Sequence, residues 1–475
     1  MDDVHPNRVL GPGLHPGRRA RRSGPRGHLS AVELLEAQLD RIERLNPALN
    51  AITTRDADGA RRAAAVADRA VAAGEVLGPL HGVALTLKDS HAVAGLRSTV
   101  GVASAGDRVP SADGAVAARL RAAGANILGK TNLDSWLYDF QTNSELFGRS
   151  SNPWDLARTP GGSSGGAAAA VAAGLVPCEL GSDLGGSVRV PAAFCGLVGF
   201  KPTEGRIPET GHGELGRPRS VWIMESIGPL ARCVADVRLL YSILAGPDGV
   251  DTSVPPVPVR GEGVAELAGL RVAVSTAFPG QRVQSATRAA VAAVGEAMEG
   301  AGAIVGEAFP AFDWDTYVVV RRRLFAMTDE VFSPAAAGRD FPLADYFAAL
   351  EARSGAIRAW EAFFDDWDVL LLADREPDRL RTSPDGDPVR RRRDRDRVLV
   401  GRPAHPADEL LRSAGDRPPG RYRSGRPAAL DPVLGPALGR RPAARDRGRR
   451  RAARRRLPAT ACAVRRLSDG GSQGG

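Results

Sequence analysis

Lysine is almost missing from this chain. Of 64 basic residues only Lys88, Lys130 and Lys201 are lysines, against 61 arginines. A G+C-rich coding sequence produces such a bias, with arginine filling the surface cationic positions. The remaining lysines are then expected where arginine fails. Arginine keeps its proton in a protein, so it cannot serve as a general base. Cysteine is scarce as well. Cys178, Cys195, Cys233 and Cys462 follow no metal-binding spacing, and four in 475 residues give no disulfide framework. A reduced, cytoplasmic protein is the expectation. No apolar run approaches the ~18 residues that a membrane span needs. The basic cluster Arg18, Arg19, Arg21 and Arg22 is not followed by an apolar segment, so no signal peptide is expected. With 43% hydrophobic residues, the chain can still bury one large core or two smaller ones.

Two glycine-flanked serines stand out from this background. Thr159–Ala168 reads TPGGSSGGAA, and Leu180–Arg189 reads LGSDLGGSVR, which sets Ser163 and Ser187 24 residues apart. Upstream, Leu85–Ser90 reads LTLKDS and supplies Lys88. Glycine lets backbone N–H groups crowd around a developing oxyanion, so a serine among glycines can act as a nucleophile. Its hydroxyl needs a base, and a lysine can be that base if its surroundings keep it neutral. GGSSGG alone is weak, since glycine-serine runs are more often linkers. LGGS alone is no stronger, and Lys88 alone could be a leftover. The order Lys88, Ser163, Ser187 within apolar flanks argues against those plainer readings.

In this order the three elements resemble the amidase signature family, which hydrolyses carboxamides with a Ser–Ser–Lys triad. The resemblance covers roughly His28–Leu372. It implies Lys88 as the catalytic lysine, Ser163 as the bridging serine and Ser187 as the nucleophile. It also implies an oxyanion hole of backbone N–H groups from Leu184, Gly185 and Gly186 together with Ser187, and a cis peptide at Ser163. The implied fold is an α/β/α sandwich around a large mixed β-sheet. No metal or cofactor is called for, and the expected partner is a small-molecule amide. Neither a membrane nor nucleic acid is expected as a partner, and the oligomeric state stays open, a homodimer being one option. The family also contains amidotransferase subunits that pass ammonia to a partner. The segment Lys201–Pro229 resembles a free-standing amidase more than such a component.

Other residues near the motifs have competing readings. Asp183 and Arg189 flank the nucleophile, either as a pair that fixes its loop or as a solvated ion pair worth little. His81 and His91 flank Lys88 and invite a Ser–His reading, but neither has an acid at a recognised spacing, so both are taken as structural. Cys195 reads as a buried thiol. Trp136, Leu137, Tyr138, Phe140 and Phe147 could line an acyl pocket or pack in the core.

The local patterns predict an α/β chain. A helix capped by Ser30, with Glu33 closing a capping box, should run to about Leu45. Further helices are expected over Arg61–Ala73, Ala112–Ala123, Ala167–Ala173, Cys233–Ala245, Thr287–Gly300, Phe312–Leu350 and Ile357–Phe364. The helix after Ser163–Gly166 should present its N-terminal N–H groups to the serine loop. Strands are expected over His81–Leu87, Ala125–Leu128, Leu197–Phe200, Gly269–Ser275, Ala303–Gly306 and Val369–Leu372.

Beyond Leu372 the character changes. Residues 373–475 hold 27 arginines against 13 acids, a net +14, so residues 1–372 carry −5 of the total +9. A basic tail on an acidic body suggests nucleic-acid binding, and an inactive remnant with such a tail is one alternative. Yet Tyr422 is the tail's only aromatic residue, too few for a base-stacking platform. A frameshift explains the composition better. Read one base later, the codons of Ala373–Arg379 can encode Pro-Thr-Ala-Ser-Pro-Thr-Ala. The same shift over Gly435–Arg450 can give Gly-Pro-Arg-Trp-Ala-Asp-Asp-Pro-Leu-Leu-Ala-Ile-Ala-Ala-Ala-Val. The domain division expected is therefore residues 1–27 unassigned, 28–372 an amidase domain, and 373–475 an out-of-frame or disordered tail.

Overall fold

The computed structural model describes residues 29–373 apart from 76–77, 214–222, 260–265, 279–282 and much of 312–341. The expectations for residues 1–27, for the tail beyond 373 and for the helix across 312–341 therefore lie outside the described residues or largely so.

Helix α1 (Ala31–Leu49) starts at Ser30, whose Oγ accepts from Glu33 N while Glu33 Oε2 accepts from Ser30 N. This is the expected capping box. Its buried stripe is Leu35, Leu39, Ile42 and Leu49, the 3.6-residue repeat of a helix facing a core. The helix runs past Leu45 to a left-handed cap at Asn50, φ 47°. Asn46 Oδ1 accepts from Ala51 N and Ile52 N, which turns the chain into β1 (Ile52–Arg55). Helix α2 (Ala57–Ala72) begins ahead of the expected Arg61, because the Asp56 carboxylate caps Gly59 N at 2.8 Å.

Strand β2 (Ala84–Lys88) is buried at every position and ends on Lys88. It starts later than His81 because His81 N bonds back to Gly78 O and Gly82 takes φ +69°, a turn. Helix α3 (Ala115–Ala122) leads to β3 (Asn126–Thr131), which runs beyond Leu128 and collects Lys130 and Thr131. A short hairpin follows, β4 (Asn143–Ser144) against β5 (Gly148–Arg149). Helix α4 (Gly165–Ala172), strand β6 (Cys178–Asp183), helix α5 (Arg189–Cys195) and strand β7 (Val198–Gly199) carry the serine motifs. Strand β8 (Ser226–Ala231) and helix α6 (Val234–Leu244) close this part.

β3 lies between antiparallel β1 and parallel β2, with Lys88 opposite Thr131. β8 lies between β6 and β7, antiparallel to both, with Asp183 opposite Ser226. β2 packs alongside β6, and Lys88 at the end of β2 reaches Ser182, the residue before Asp183. One apolar core joins Leu85, Leu87, Leu120, Ile127, Leu180, Ile227 and Leu240. A second joins the α1 stripe to Leu128, Ala169, Ala170 and Leu175. Helix α4 is buried all round, and its alanines and glycines allow this close approach. A Cβ on Gly166 would lie 2.4 Å from Asn132 O.

A separate parallel sheet is formed by β9 (Arg271–Ser275), β10 (Ile304–Glu307) and β11 (Val369–Leu372), in the order β10-β9-β11. Helix α7 (Ser285–Gly300) connects the first two, and helix α8 (Leu343–Asp366) precedes the third. α8 is continuous where the sequence pattern predicts two helices; Ser354 Oγ bonds to Leu350 O, and Gly355 is accommodated without a break. Among the described residues β11 bonds to β9 alone and forms one edge of this sheet. Phe347, Ile357 and Phe364 of α8 are exposed. Parallel sheets normally have both edges and faces covered. A chain read one base later beyond Leu372 should accordingly give more soluble protein and a sharper thermal transition than the literal chain. Equal yield and equal cooperativity of the two would remove the frameshift reading.

Candidate active site

Lys88 ends β2 with no exposed surface. Its Nζ donates to Ser163 Oγ at 2.8 Å and to Ser182 Oγ at 3.2 Å. Burial is the main influence on the amine and pulls it down to about 8; Glu225, then Glu179, Asp183 and Asp134, act against this with their charges. Burial lowers a lysine because the charged form loses its hydration. Ser163 and Ser164 are fully buried, and the peptide Gly162–Ser163 is cis, as the resemblance implied. Ser164 N–H donates to Ser187 O at 3.2 Å, which holds Ser187 beside the residue that follows Ser163. Lys88, Ser163 and Ser187 thus come together from β2, the loop before α4 and the loop after β6.

The N-terminus of α4 does not serve this loop as broadly as expected. Gly165 N–H donates to Thr142 Oγ1, and Gly166 N–H to Asn132 O. The Ser164 N–H, one step earlier, reaches the Ser187 backbone.

Asp183 explains the shape of the Ser187 loop. Its buried carboxylate accepts from the N–H groups of Gly186, Val188 and Arg189 at 2.8, 3.1 and 3.2 Å. It also takes Arg189 Nε at 2.9 Å and Nη2 at 2.8 Å, a bidentate pair. Burial would raise this carboxyl, but the Arg189 guanidinium and the backbone donors overcome it and hold it below the usual range. The loop-fixing reading of the pair therefore stands over the solvated one. One expected oxyanion donor is redirected: the Gly186 N–H donates to the buried Asp183 carboxylate at 2.8 Å. Leu184 and Gly185 remain as candidates with Ser187.

Gly186 also has φ +133°, a conformation open to glycine. A Cβ there would lie 2.9 Å from Val190 Cγ2 and 3.3 Å from Phe140 Cε1. Gly186→Ala should lower stability by about 1–3 kcal/mol and slow any reaction of Ser187. Thermal melting and the rate of Ser187 modification measure the two effects, and an unchanged variant on both would remove the strained-loop argument.

Cys195 is buried, burial pushes its thiol far up, and its Sγ contacts Pro160 O, as expected for a structural thiol. His81 Nε2 contacts Ala67 O and plays no part in the cluster. Trp136 and Tyr138 are exposed, which excludes the core reading for both, and Phe140 lies against Gly186. Trp136 and Leu137 have φ 62° and 65°, strained for non-glycine residues, in the loop whose Asp134 N–H donates to Ser163 O. Phe147 carries the Arg97 guanidinium over its ring.

Several residues of the cluster are not foreseeable from the motifs. Ser182 is the second acceptor of Lys88, and its place in LGSDLGGS is the one signal that could have marked it. Lys130 is as buried as Lys88, is likewise lowered by burial to about 8, and donates to His91 O and Ser98 Oγ. Glu179 is pushed up by burial to about 8 despite the Thr131 hydroxyl at 2.6 Å. The rings of His91 and His212 meet at a tilt of 43° with centroids 4.8 Å apart, and His212 Nε2 meets Glu225 Oε1 at 3.1 Å. Lys201, the third lysine, is half-buried and donates to Ser226 Oγ. Among the described residues no group of three or more His, Cys, Asp or Glu is arranged to hold a metal ion, and no helix is long and apolar enough to cross a membrane.

This is an α/β protein with a serine–lysine centre. The chain belongs to the Amidase family, whose model matches residues 33–313. It is 40% identical over 292 residues to a glutamyl-tRNA(Gln) amidotransferase subunit from Synechococcus sp. (strain CC9605), covering 60% of this chain and 58% of that protein. It is 36% identical over 363 residues to the indoleacetamide hydrolase of Bradyrhizobium diazoefficiens, covering 73% of this chain and 69% of that one. Among solved structures, a bacterial aryl acylamidase of the amidase signature family superposes with TM-score 0.67 at 26% identity, over 76% of this chain and 79% of the other. The chain thus spans less than two thirds of the length of its amidotransferase relative.

Proposed function

We propose that this protein hydrolyses a carboxamide to a carboxylic acid and ammonia or an amine, through an acyl-enzyme on Ser187. The observation that carries this reading is the 2.8 Å bond from fully buried Lys88 to Ser163. A lysine brought down to about 8 is partly neutral near pH 7–8 and can accept a proton. Lys88 takes the Ser163 proton as Ser163 takes that of Ser187. Ser187 Oγ bonds to the amide carbon, and the Leu184, Gly185 and Ser187 N–H groups stabilise the negative oxygen. The proton returns through Ser163 to the amide nitrogen, and the C–N bond breaks. Water then attacks the ester, giving its proton to the same relay, and the acid leaves with Ser187 restored. Asp183 and Arg189 hold the loop in shape throughout.

Covalent labelling tests this reading. A fluorophosphonate should modify Ser187, found by peptide mass spectrometry, and a competing amide should slow it. An adduct on another residue would overturn the assignment.

A second reading follows from the 40% identity to amidotransferase subunits. There the same centre would release ammonia from glutamine for a partner. A panel of primary amides that includes glutamine separates the two. Turnover of simple amides by the chain alone supports the free-standing hydrolase, and turnover of glutamine only with a partner present supports the amidotransferase role.

A further inference from the structure

His91 and His212 occupy the heart of the molecule without a part in the relay just described. Their backbones form an isolated antiparallel bridge, and Gly213 N–H donates to Ser90 O at 2.8 Å. His91 follows Lys88 by one turn, with its N–H bonded to Lys88 O at 3.0 Å. Its ring lies against that of His212, tilted by 43°, and His212 Nε2 meets the Glu225 carboxylate. All three side chains are nearly inaccessible to solvent. Burial holds His91 well below the usual imidazole range, with His212, Lys130 and Lys88 adding to the effect, so it is neutral in the working range.

Glu225 directly precedes the rung that pairs Ser226 with Asp183. The neighbouring residue on β6 is Ser182, the second acceptor of Lys88. The acid therefore stands at the strand end where the lysine is held. Its second oxygen, Oε2, is buried without a hydrogen-bond partner among the described residues. A buried carboxylate is costly unless hydrogen-bonded or paired, and His212 is the donor that meets it.

We propose that the buried His212–Glu225 pair, seated against Lys88 through His91, is a positioning element that sets how readily Lys88 gives up its proton. The inference rests on the reading of Lys88 as the base. The charged and titratable groups around the lysine are Glu225 at the start of β8, Glu179 and Asp183 on β6, Asp134 after β3, and His91 on its own turn. Lys130 on β3 lies beyond His91 and bonds to its carbonyl. Asp183 is already committed to Arg189, and Glu179 is pushed toward its neutral form by burial. Glu225 heads the charges that favour the protonated lysine. The His212 contact at 3.1 Å holds the Glu225 carboxylate in its place at the start of β8, so losing it loosens the position of that charge.

The experiment follows the pH dependence of Ser187 modification by a fluorophosphonate, and of kcat/KM on an amide, in the full chain. Glu225→Gln removes the charge and should move the acid-side midpoint down by roughly one pH unit. Glu225→Asp keeps the charge and should restore the wild-type midpoint. His212→Phe keeps a ring on His91 but removes the donor to Glu225, and should shift the midpoint the same way by less. A folded Glu225→Gln that loses rate with its midpoint unmoved would mean a structural role and overturn the proposal. If Glu225→Gln does not fold, a folded His212→Phe with the wild-type midpoint overturns it equally. Absence of Ser187 modification in the wild-type chain is a different failure, that of the acyl-enzyme reading itself.

Discussion

Lys88→Arg should lower kcat/KM by about 10²–10⁴-fold, nearly as far as Lys88→Ala. Arginine keeps the charge and can still donate to Ser163 and Ser182, the two bonds that Lys88 makes at 2.8 and 3.2 Å. It cannot give up its proton, so a relay that ends on residue 88 has no acceptor. The guanidinium is also larger, and the site has no exposed surface to receive it. Lys130→Arg separates these two effects. Lys130 is equally buried but bonds to the His91 carbonyl and Ser98 rather than to Ser163 or Ser182. Its replacement should lower the melting temperature and leave the acid limb of the pH profile in place. In the wild type, activity should rise with pH through a midpoint near 8, because the protonated lysine below it cannot accept. Near-full activity of Lys88→Arg, or a flat profile across that range, would place the base elsewhere.

The lysines show how far the sequence can be read. Their scarcity points to positions where arginine fails, and two of the three are fully buried while the third is half-buried. Lys88 stands in a recognisable motif, so its role can be inferred. Lys130 has no motif, and its burial depends on β3 running on past Leu128 between β1 and β2, a consequence of pairing rather than of local pattern. The capping box at Ser30 is legible because it is entirely local. β6 and β8 are not: CELGSD and SIGPLA contain glycine, proline and polar residues, and only their pairing makes them strands.

The site divides in the same way. The serine loops and the Asp183–Arg189 pair lie close in sequence and can be named in advance. The His91, His212 and Glu225 cluster unites segments far apart in the chain, and single residues without spacing carry no signal. From the sequence His91 reads as structural because no acid stands at a recognised spacing. The structure brings one through His212, which sequence distance does not show. The family resemblance gives the Gly186 N–H to an oxyanion, but a buried carboxylate three residues earlier competes for it.

Ser187→Ala should abolish both turnover and covalent labelling, whereas Ser163→Ala should leave measurable activity. The difference follows from what each hydroxyl does. Ser187 supplies the atom that bonds to the substrate carbon, and no neighbour in the loop can replace it. Cys195, the nearest thiol in sequence, is buried with its pKa driven far up, so it cannot stand in. Ser163 only passes a proton, a task that a water can take over in part. Without the Ser163 hydroxyl, Lys88 keeps Ser182 as an acceptor at 3.2 Å, so the lysine is not left unpaired and the fold should survive. Ser163→Ala should therefore cost about 10²–10⁴-fold, with an unchanged melting temperature. Adding Lys88→Ala to Ser163→Ala should cost much less than the product of the single losses, since residues that act as one relay are not additive. Steady-state rates on the four chains, with labelling of Ser187 measured in parallel, test the scheme. Strictly additive losses, or turnover that survives Ser187→Ala, would mean that these residues do not form one proton path.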